Sequence, residues 1–250
     1  MARGSLKQYW KKRDFKVTAE PRGTVAKAAT KKKSEVPFAR FTVQKHDASR
    51  LHFDLRLEID GVYKSWAVPK GPSLDPADKR LAVEVEDHPL DYGTFEGTIP
   101  DGQYGGGTVQ LWDQGVFAAL GDSLEGLRKG ELKFATMGKR MKGGWVLVWL
   151  HPRRGERSGK PNWLLIKERD KEVRTGKAAD IASIDKSVKT GRKMQQIASD
   201  ASSPVWNSNR ADAKDPVGKK AAKKPAKTKA VEKAAKKKTA RKKPAKRKAA

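Results

Sequence analysis

The 250-residue chain has no cysteine, so it contains neither disulfides nor any cysteine-ligated metal or cluster. It also lacks an apolar run long enough to span a bilayer, and its start, Met1 to Lys12, has no stretch of signal-peptide type. The expectation is a soluble, cytoplasmic protein without a membrane partner. Acidic residues are the next shortage: 29 Asp and Glu face 56 Lys and Arg, a net charge of +27 that favours a polyanionic partner over a neutral one. Histidine is scarcer still. Of the four present, three lie between residues 46 and 88.

The basic excess is uneven. Residues 214–250 hold 17 basic and 2 acidic residues among Ala, Pro and Thr, giving +15 and leaving +12 for the rest of the chain. Such a segment has too little apolar surface to offset chain entropy, so it is expected to be disordered when free. Its Lys-Lys-Pro-Ala-Lys and Ala-Lys-Lys-Lys units resemble the tails of linker histones and bacterial histone-like proteins. The expectation is sequence-independent, salt-sensitive affinity for nucleic acid, preferred to a solubility tail, a polyanion or membrane-surface contact or a nuclear-import signal, and the bacterial resemblance implies nucleoid association in a prokaryotic cell. The divisions expected are a basic N-terminal arm over 1–36 that partly docks on the core, a β-barrel over 37–174, a helical linker over 175–213 and the tail over 214–250.

The central region reads as all-β and mainly antiparallel, a small closed or nearly closed barrel with few short helices. Leu51 to Ile59 alternates, Asp60-Gly61 is a two-residue hairpin turn, and Val62 to Val68 returns. That count pairs Ile59 with Val62, Glu58 with Tyr63, Arg56 with Ser65 and Asp54 with Ala67. Arg80 to His88 follows, with Leu81, Val83 and Val85 as its apolar face and Arg80, Glu84, Glu86 and His88 opposite. Further strands are expected at Thr108–Trp112, Glu131–Ala135, Trp145–Leu150 and Trp163–Lys167, and a short helix at Ser123–Lys129. One or two short helices are expected between Asp180 and Ala201. Polar residues facing into the barrel mouth would make a pocket.

Within the first hairpin, His52, Asp54 and Arg56 alternate with Phe53 and Leu55. An imidazole, a carboxylate and a guanidinium therefore share one face over an apolar backing. Any half-exposed strand alternates, but the scarcity of histidine elsewhere argues for a site. His46 has the same parity, and two His with one Asp form a candidate metal-ligand set. Arg56 beside them suggests that the group acted upon carries phosphate. Other motifs fail. The glycines at 102, 105, 106 and 107 lack the Lys-Ser/Thr ending of a phosphate-binding loop and open a strand. The Leu-Ile-Lys run at 165–167 has no accompanying Lys-x-Asp-Gly, which argues against self-adenylation.

Lys45 to Glu58, Lys64 to Pro72, Arg80 to Tyr92 and Phe95 to Gly107 together resemble the 3′-phosphoesterase module of bacterial DNA ligase D. The runs Trp66-Ala67-Val68-Pro69-Lys70-Gly71-Pro72 and Glu86-Asp87-His88-Pro89-Leu90-Asp91-Tyr92 are especially specific. The resemblance implies a manganese-dependent hydrolase for 3′ ends of DNA. It removes a terminal ribonucleoside, then the 3′-phosphate, and leaves a 3′-OH for non-homologous end joining. Carried over, it makes His46, His52 and Asp54 metal ligands. Arg56, His88 and Tyr92 hold and polarise the phosphate, and Arg13, Glu20, Ser65, Lys70, Arg80 and Glu86 support them. It also implies a monomer whose partners are DNA with a 3′-ribonucleotide or 3′-phosphate and, through the pathway, Ku-like and ligase or polymerase proteins. The alternatives are a non-catalytic nucleic-acid-binding relative and a different metal-dependent nuclease.

Overall fold

Alternation of apolar and polar residues from Phe41 onward closes a sheet upon itself. The computed structural model describes residues 4–13, 21–26, 38–100, 104–152, 159–200 and 202. Nine strands occur among them: β1 (Ala39–Asp47), β2 (Leu51–Ile59), β3 (Val62–Val68), β4 (Arg80–His88), β5 (Gly97–Ile99), β6 (Gly107–Ala119), β7 (Glu131–Gly138), β8 (Lys142–Leu150) and β9 (Asn162–Lys167). Their order is β1-β2-β3-β4-β9-β8-β7-β6, and β6 pairs back with β1, so eight antiparallel strands form a closed barrel. β5 adds to β6 beside its first residues. Three short α-helices accompany the sheet, α1 (Lys7–Lys11), α2 (Ser123–Lys129) and α3 (Met194–Ser199). Among the described residues no helix is long and apolar enough to cross a membrane.

The first hairpin has the register that its turn dictates: Ile59 opposite Val62, Glu58 opposite Tyr63, Arg56 opposite Ser65 and Asp54 opposite Ala67. Asp60 and Gly61 both take positive φ, 54° and 78°, which is the twist that a two-residue hairpin turn requires. The later strands run longer than their sequence cores, and β5 is too short and glycine-rich to announce itself. Helix α2 starts where the Asp122 carboxylate accepts the Glu125 N–H and stops at Gly130 in the left-handed region.

The barrel interior is apolar. Phe41, Val43, Phe53, Leu55, Leu57, Trp66, Phe134, Leu147 and Leu165 are buried there with Trp112, Trp145 and Trp163. Edge-on ring pairs such as Phe53–Trp112 and Phe117–Phe134 lock it, each adding about 0.5–1.5 kcal/mol beyond simple burial. The interior is thus filled, and the residues of the candidate site lie on the opposite parity, outside the barrel wall. Tryptophans occupy the barrel interior, so the candidate site lies on the outer face and not in a barrel mouth as the sequence suggested.

β4 also departs from its expected facing. Ala82 is the buried core residue and Leu81 is exposed. Across from Trp66 and Trp163 only a small side chain fits, and Glu84 turns inward to accept the Trp163 Nε1–H at 2.8 Å. A bulge then interrupts the β3–β4 ladder: Ser65 lies opposite Val85, but Tyr63 lies opposite His88. The extra residue changes parity, so His88 joins the face of Ser65 and Arg56.

Candidate active site

β1 folds back on β2 so that His46 and His52 are direct partners. Their rings lie 4.8 Å apart. Asp54 follows His52 on the same face, its carboxylate 3.8 Å from His46 Nδ1 and 3.5 Å from His52 Nε2. The remaining nitrogen of each ring meets a backbone carbonyl: His46 Nε2 that of Gly105 and His52 Nδ1 that of Arg50, both at 2.9 Å. Each is therefore a donor, which leaves His46 Nδ1 and His52 Nε2 facing Asp54. Three ligand atoms within 4.8 Å of one another, two imidazole nitrogens and a carboxylate oxygen, fit a divalent first-row metal with further positions left for other ligands.

Arg56 is buried next to this set. Its Nη2 donates to Asp54 at 3.0 Å, its Nη1 to Ser65 Oγ at 2.9 Å and its Nε to Gln44 Oε1 at 2.7 Å. These bonds fix the guanidinium plane and leave one N–H on each terminal nitrogen without a partner among the described residues, as a fork for phosphate oxygens requires. The Tyr92 ring lies 4.9 Å from the guanidinium carbon. Burial pushes the Asp54 carboxyl up, but Arg56 and the two imidazoles outweigh it and hold the group well below the usual carboxylate range.

A roof covers this face. A 3-10 helix at Leu90–Thr94, begun after Pro89, carries Tyr92. Gln44 donates to the carbonyls of Tyr92 and Phe95, at 3.1 and 2.9 Å, and Thr42 Oγ1 donates to that of Gly93 at 3.1 Å. His88 packs between Tyr92 and Tyr9, its Nδ1 2.8 Å from the Glu86 carbonyl. Burial, and then the Arg56 charge, push its pKa well below that of ordinary histidine, while Nδ1, which meets the Glu86 carbonyl, is the nitrogen that donates. Burial raises the Glu86 carboxyl, yet His88 and Lys12 bring it down to about 2.

α1 completes the wall. Lys12 Nζ bridges Glu86 at 2.8 Å and the Tyr104 hydroxyl at 2.7 Å. The Arg13 guanidinium stacks 3.8 Å over the Tyr9 ring and reaches to 3.7 Å of Glu86. Of the residues named from sequence, His46, His52, Asp54, Arg56, Ser65, Glu86, His88, Tyr92 and Arg13 come together. Glu20 lies outside the described residues. Lys70 is exposed in the turn after β3, at the His52 end of the hairpin. Arg80 stands at the far end of β4 from His88, on the parity of Ala82 and opposite Leu165, bound to Asp78 at 2.8 Å. Sequence reasoning missed Gln44, although its place two residues before His46 gives the signal; Lys12 and Tyr104 offered none.

Comparison with known proteins bears on the same residues. The DNA Ligase D 3'-phosphoesterase domain matches residues 44–149. The multifunctional non-homologous end joining protein LigD of Pseudomonas aeruginosa is 52% identical over 170 residues, 68% of this chain and 19% of that protein. The multifunctional non-homologous end joining DNA repair protein LigD of Mycobacterium tuberculosis is 46% identical over 112 residues, 45% of this chain and 14% of that protein. The chain thus spans about a fifth or less of these curated relatives. The match contains His46, His52, Asp54, Arg56, His88 and Tyr92 within one face, and the chain carries a domain of the DNA ligase D 3′-phosphoesterase family.

Proposed function

We propose that the chain is a metal-dependent phosphoesterase that heals 3′ ends of DNA for non-homologous end joining, with manganese as the working ion. Its substrates are a 3′-terminal ribonucleotide and a 3′-phosphate. The observation that carries this reading is the metal-ligand set of His46, His52 and Asp54 bonded directly, at 3.0 Å, to a phosphate-type arginine that keeps two N–H groups uncommitted. The ion would supply Lewis acidity toward a phosphate oxygen and toward water.

The protein residues do the rest. Arg56, held by Gln44, Ser65 and Asp54, meets the charge that grows on the equatorial oxygens as water attacks phosphorus. In the first step the bond from phosphorus to the 5′-oxygen of the ribonucleoside breaks; in the second, that to the 3′-oxygen of the primer breaks. The attacking water gives up a proton to solvent as its oxygen bonds to phosphorus, and His88, having taken a proton from solvent at Nε2 as the anionic substrate docks, donates it to the departing oxygen. Tyr92 closes the site over the Arg56 guanidinium. The 214–250 tail, outside the described residues, is assigned to general DNA affinity and nucleoid association, and Ku-like and ligase or polymerase proteins are the pathway partners. The divisions at 36, 174 and 213 belong to this reading, as does a monomeric state.

The test is a primer-template whose primer ends in one ribonucleotide, incubated with manganese or with chelator and resolved on a gel. Conversion to a 3′-phosphate and then a 3′-OH only with metal is the expected result. An intact primer that shifts on a native gel would make the chain a DNA-binding relative, and internal cleavage would make it a different nuclease.

A further inference from the structure

Residues 180–200 lie along β6 and brace the roof from behind. Trp112 Nε1 donates to the Ile184 carbonyl at 2.9 Å, and Val188 N to that of Leu111 at 2.8 Å. Asp185 takes hydrogen bonds from Lys45 and Gln110, each at 3.2 Å. The buried Glu96 carboxylate is the main anchor, accepting Ser187 Oγ and Thr190 Oγ1 at 2.5 Å and Arg192 Nη2 at 3.3 Å. Lys189 Nζ donates to the Thr94 carbonyl at 2.9 Å, at the end of the 3-10 helix that carries Tyr92. Next to Glu96, the Phe95 carbonyl is held by Gln44, which holds Arg56. A short chain of hydrogen bonds thus fixes this segment relative to the phosphate fork.

Its charge is one-sided. Residues 186–193 contain Lys186, Lys189, Arg192 and Lys193 and no acid. Arg192 is satisfied by Glu96 and Asp200. Lys186, Lys189 and Lys193 are exposed, and none makes an ion pair with a described residue. The nearest carboxylates in sequence, Asp185 and Asp200, are engaged by Lys45 and Arg192. Three uncompensated cations on a braced ridge are costly to collect without an anion to meet them, and their spacing from Arg56 is set by the fold.

We propose that this ridge is a docking surface for the phosphodiester backbone of the duplex adjoining the processed 3′ end, with Lys186, Lys189 and Lys193 as its phosphate contacts. The inference rests on the reading of the substrate as DNA. It assigns the ridge a role distinct from that of the tail: the ridge sets the register of the duplex against the site, and the tail adds affinity without register.

The test uses the full chain and a Lys186→Ala/Lys189→Ala/Lys193→Ala variant, with a fluorescent duplex carrying a recessed 3′ end. Anisotropy titrations across a salt series give the slope of log affinity against log salt, to which the tail contributes equally in both proteins. The variant's slope is expected to be shallower by about three, one for each lysine. In turnover of the 3′-phosphate form, the Lys186→Ala/Lys193→Ala pair, which leaves the Lys189–Thr94 bond in place, is expected to raise KM with kcat unchanged. Superimposable slopes overturn the ridge, as does a fall in kcat at constant KM. A shallower slope in the variant, with no turnover by the wild type, overturns the phosphoesterase reading and keeps the ridge.

Discussion

Along β2 two faces of one strand do different work. Phe53, Leu55, Leu57 and Ile59 fill the barrel, while His52, Asp54 and Arg56 stand on its outside under the roof. The inner face is made of interchangeable contacts among many side chains, and its strength is collective. The outer face depends on a few directed bonds, each with a named donor and acceptor. A change inside should therefore cost stability and spare chemistry, and a change outside should do the reverse.

The sharpest way to separate the faces is Arg56→Ala. Turnover of a 3′-phosphate primer-template should fall by at least about 10²-fold, the scale of losing a donor aimed at transition-state charge. Manganese binding, read by titration calorimetry, should stay largely intact. Full activity in this variant would end the assignment. Phe134→Ala is the counterpart inside, on β7 and away from the site, and should lower unfolding free energy by about 3–5 kcal/mol in urea titrations. Turnover per folded molecule should be unchanged.

Gln44 links the faces' logic at intermediate scale. Gln44→Ala removes the amide donor to the Tyr92 and Phe95 carbonyls and takes away the acceptor of the Arg56 Nε–H, a cost of about 1–3 kcal/mol for a buried group left unpaired. Gln44→Glu restores only the acceptor for Arg56. Both should lower kcat, the alanine variant more, and tryptophan fluorescence during denaturation should rank their stability in the same order.

The smallest effect is on pH dependence. His88 has its pKa depressed by burial, then by Arg56 and Arg13, against the opposite pull of Glu86 and Asp54. Below about 6.5, the ordinary histidine value, the unfolded chain binds a proton that the folded chain refuses, so stability falls as pH falls through that value. In His88→Gln this part of the loss should disappear. Chemical denaturation midpoints at a series of pH values should show the two proteins diverging below 6.5 and parallel above it.

How far the sequence could be read follows from the same two faces. The Asp60-Gly61 turn has a fixed residue count, so the β2–β3 register was legible to the residue, and Ser65 could be placed beside Arg56. No such count governs β4. Its facing depends on which volume is left between Trp66 and Trp163, a property of three strands together, and alternation alone pointed Leu81 inward in place of Ala82. The bulge opposite Lys64 has no sequence mark, yet it decides that His88 meets Arg56. Likewise the position of the site outside the wall required knowing that four tryptophans fill the inside. Arg80 belongs to the matched segment, and the fold sets it at the other end of β4 from His88, a placement that strand parity alone does not give.

The two histidines present opposite ring nitrogens to Asp54, because the Gly105 and Arg50 carbonyls have claimed different edges of the rings. They are therefore not equivalent donors, although the sequence writes them with the same letter. An asparagine reaches about as far as Nδ1 and a glutamine about as far as Nε2, so each position has its own nearest amide mimic. Position 46 matches the shorter amide and position 52 the longer. Exchanging the two mimics would keep the composition of the site while reversing its reach.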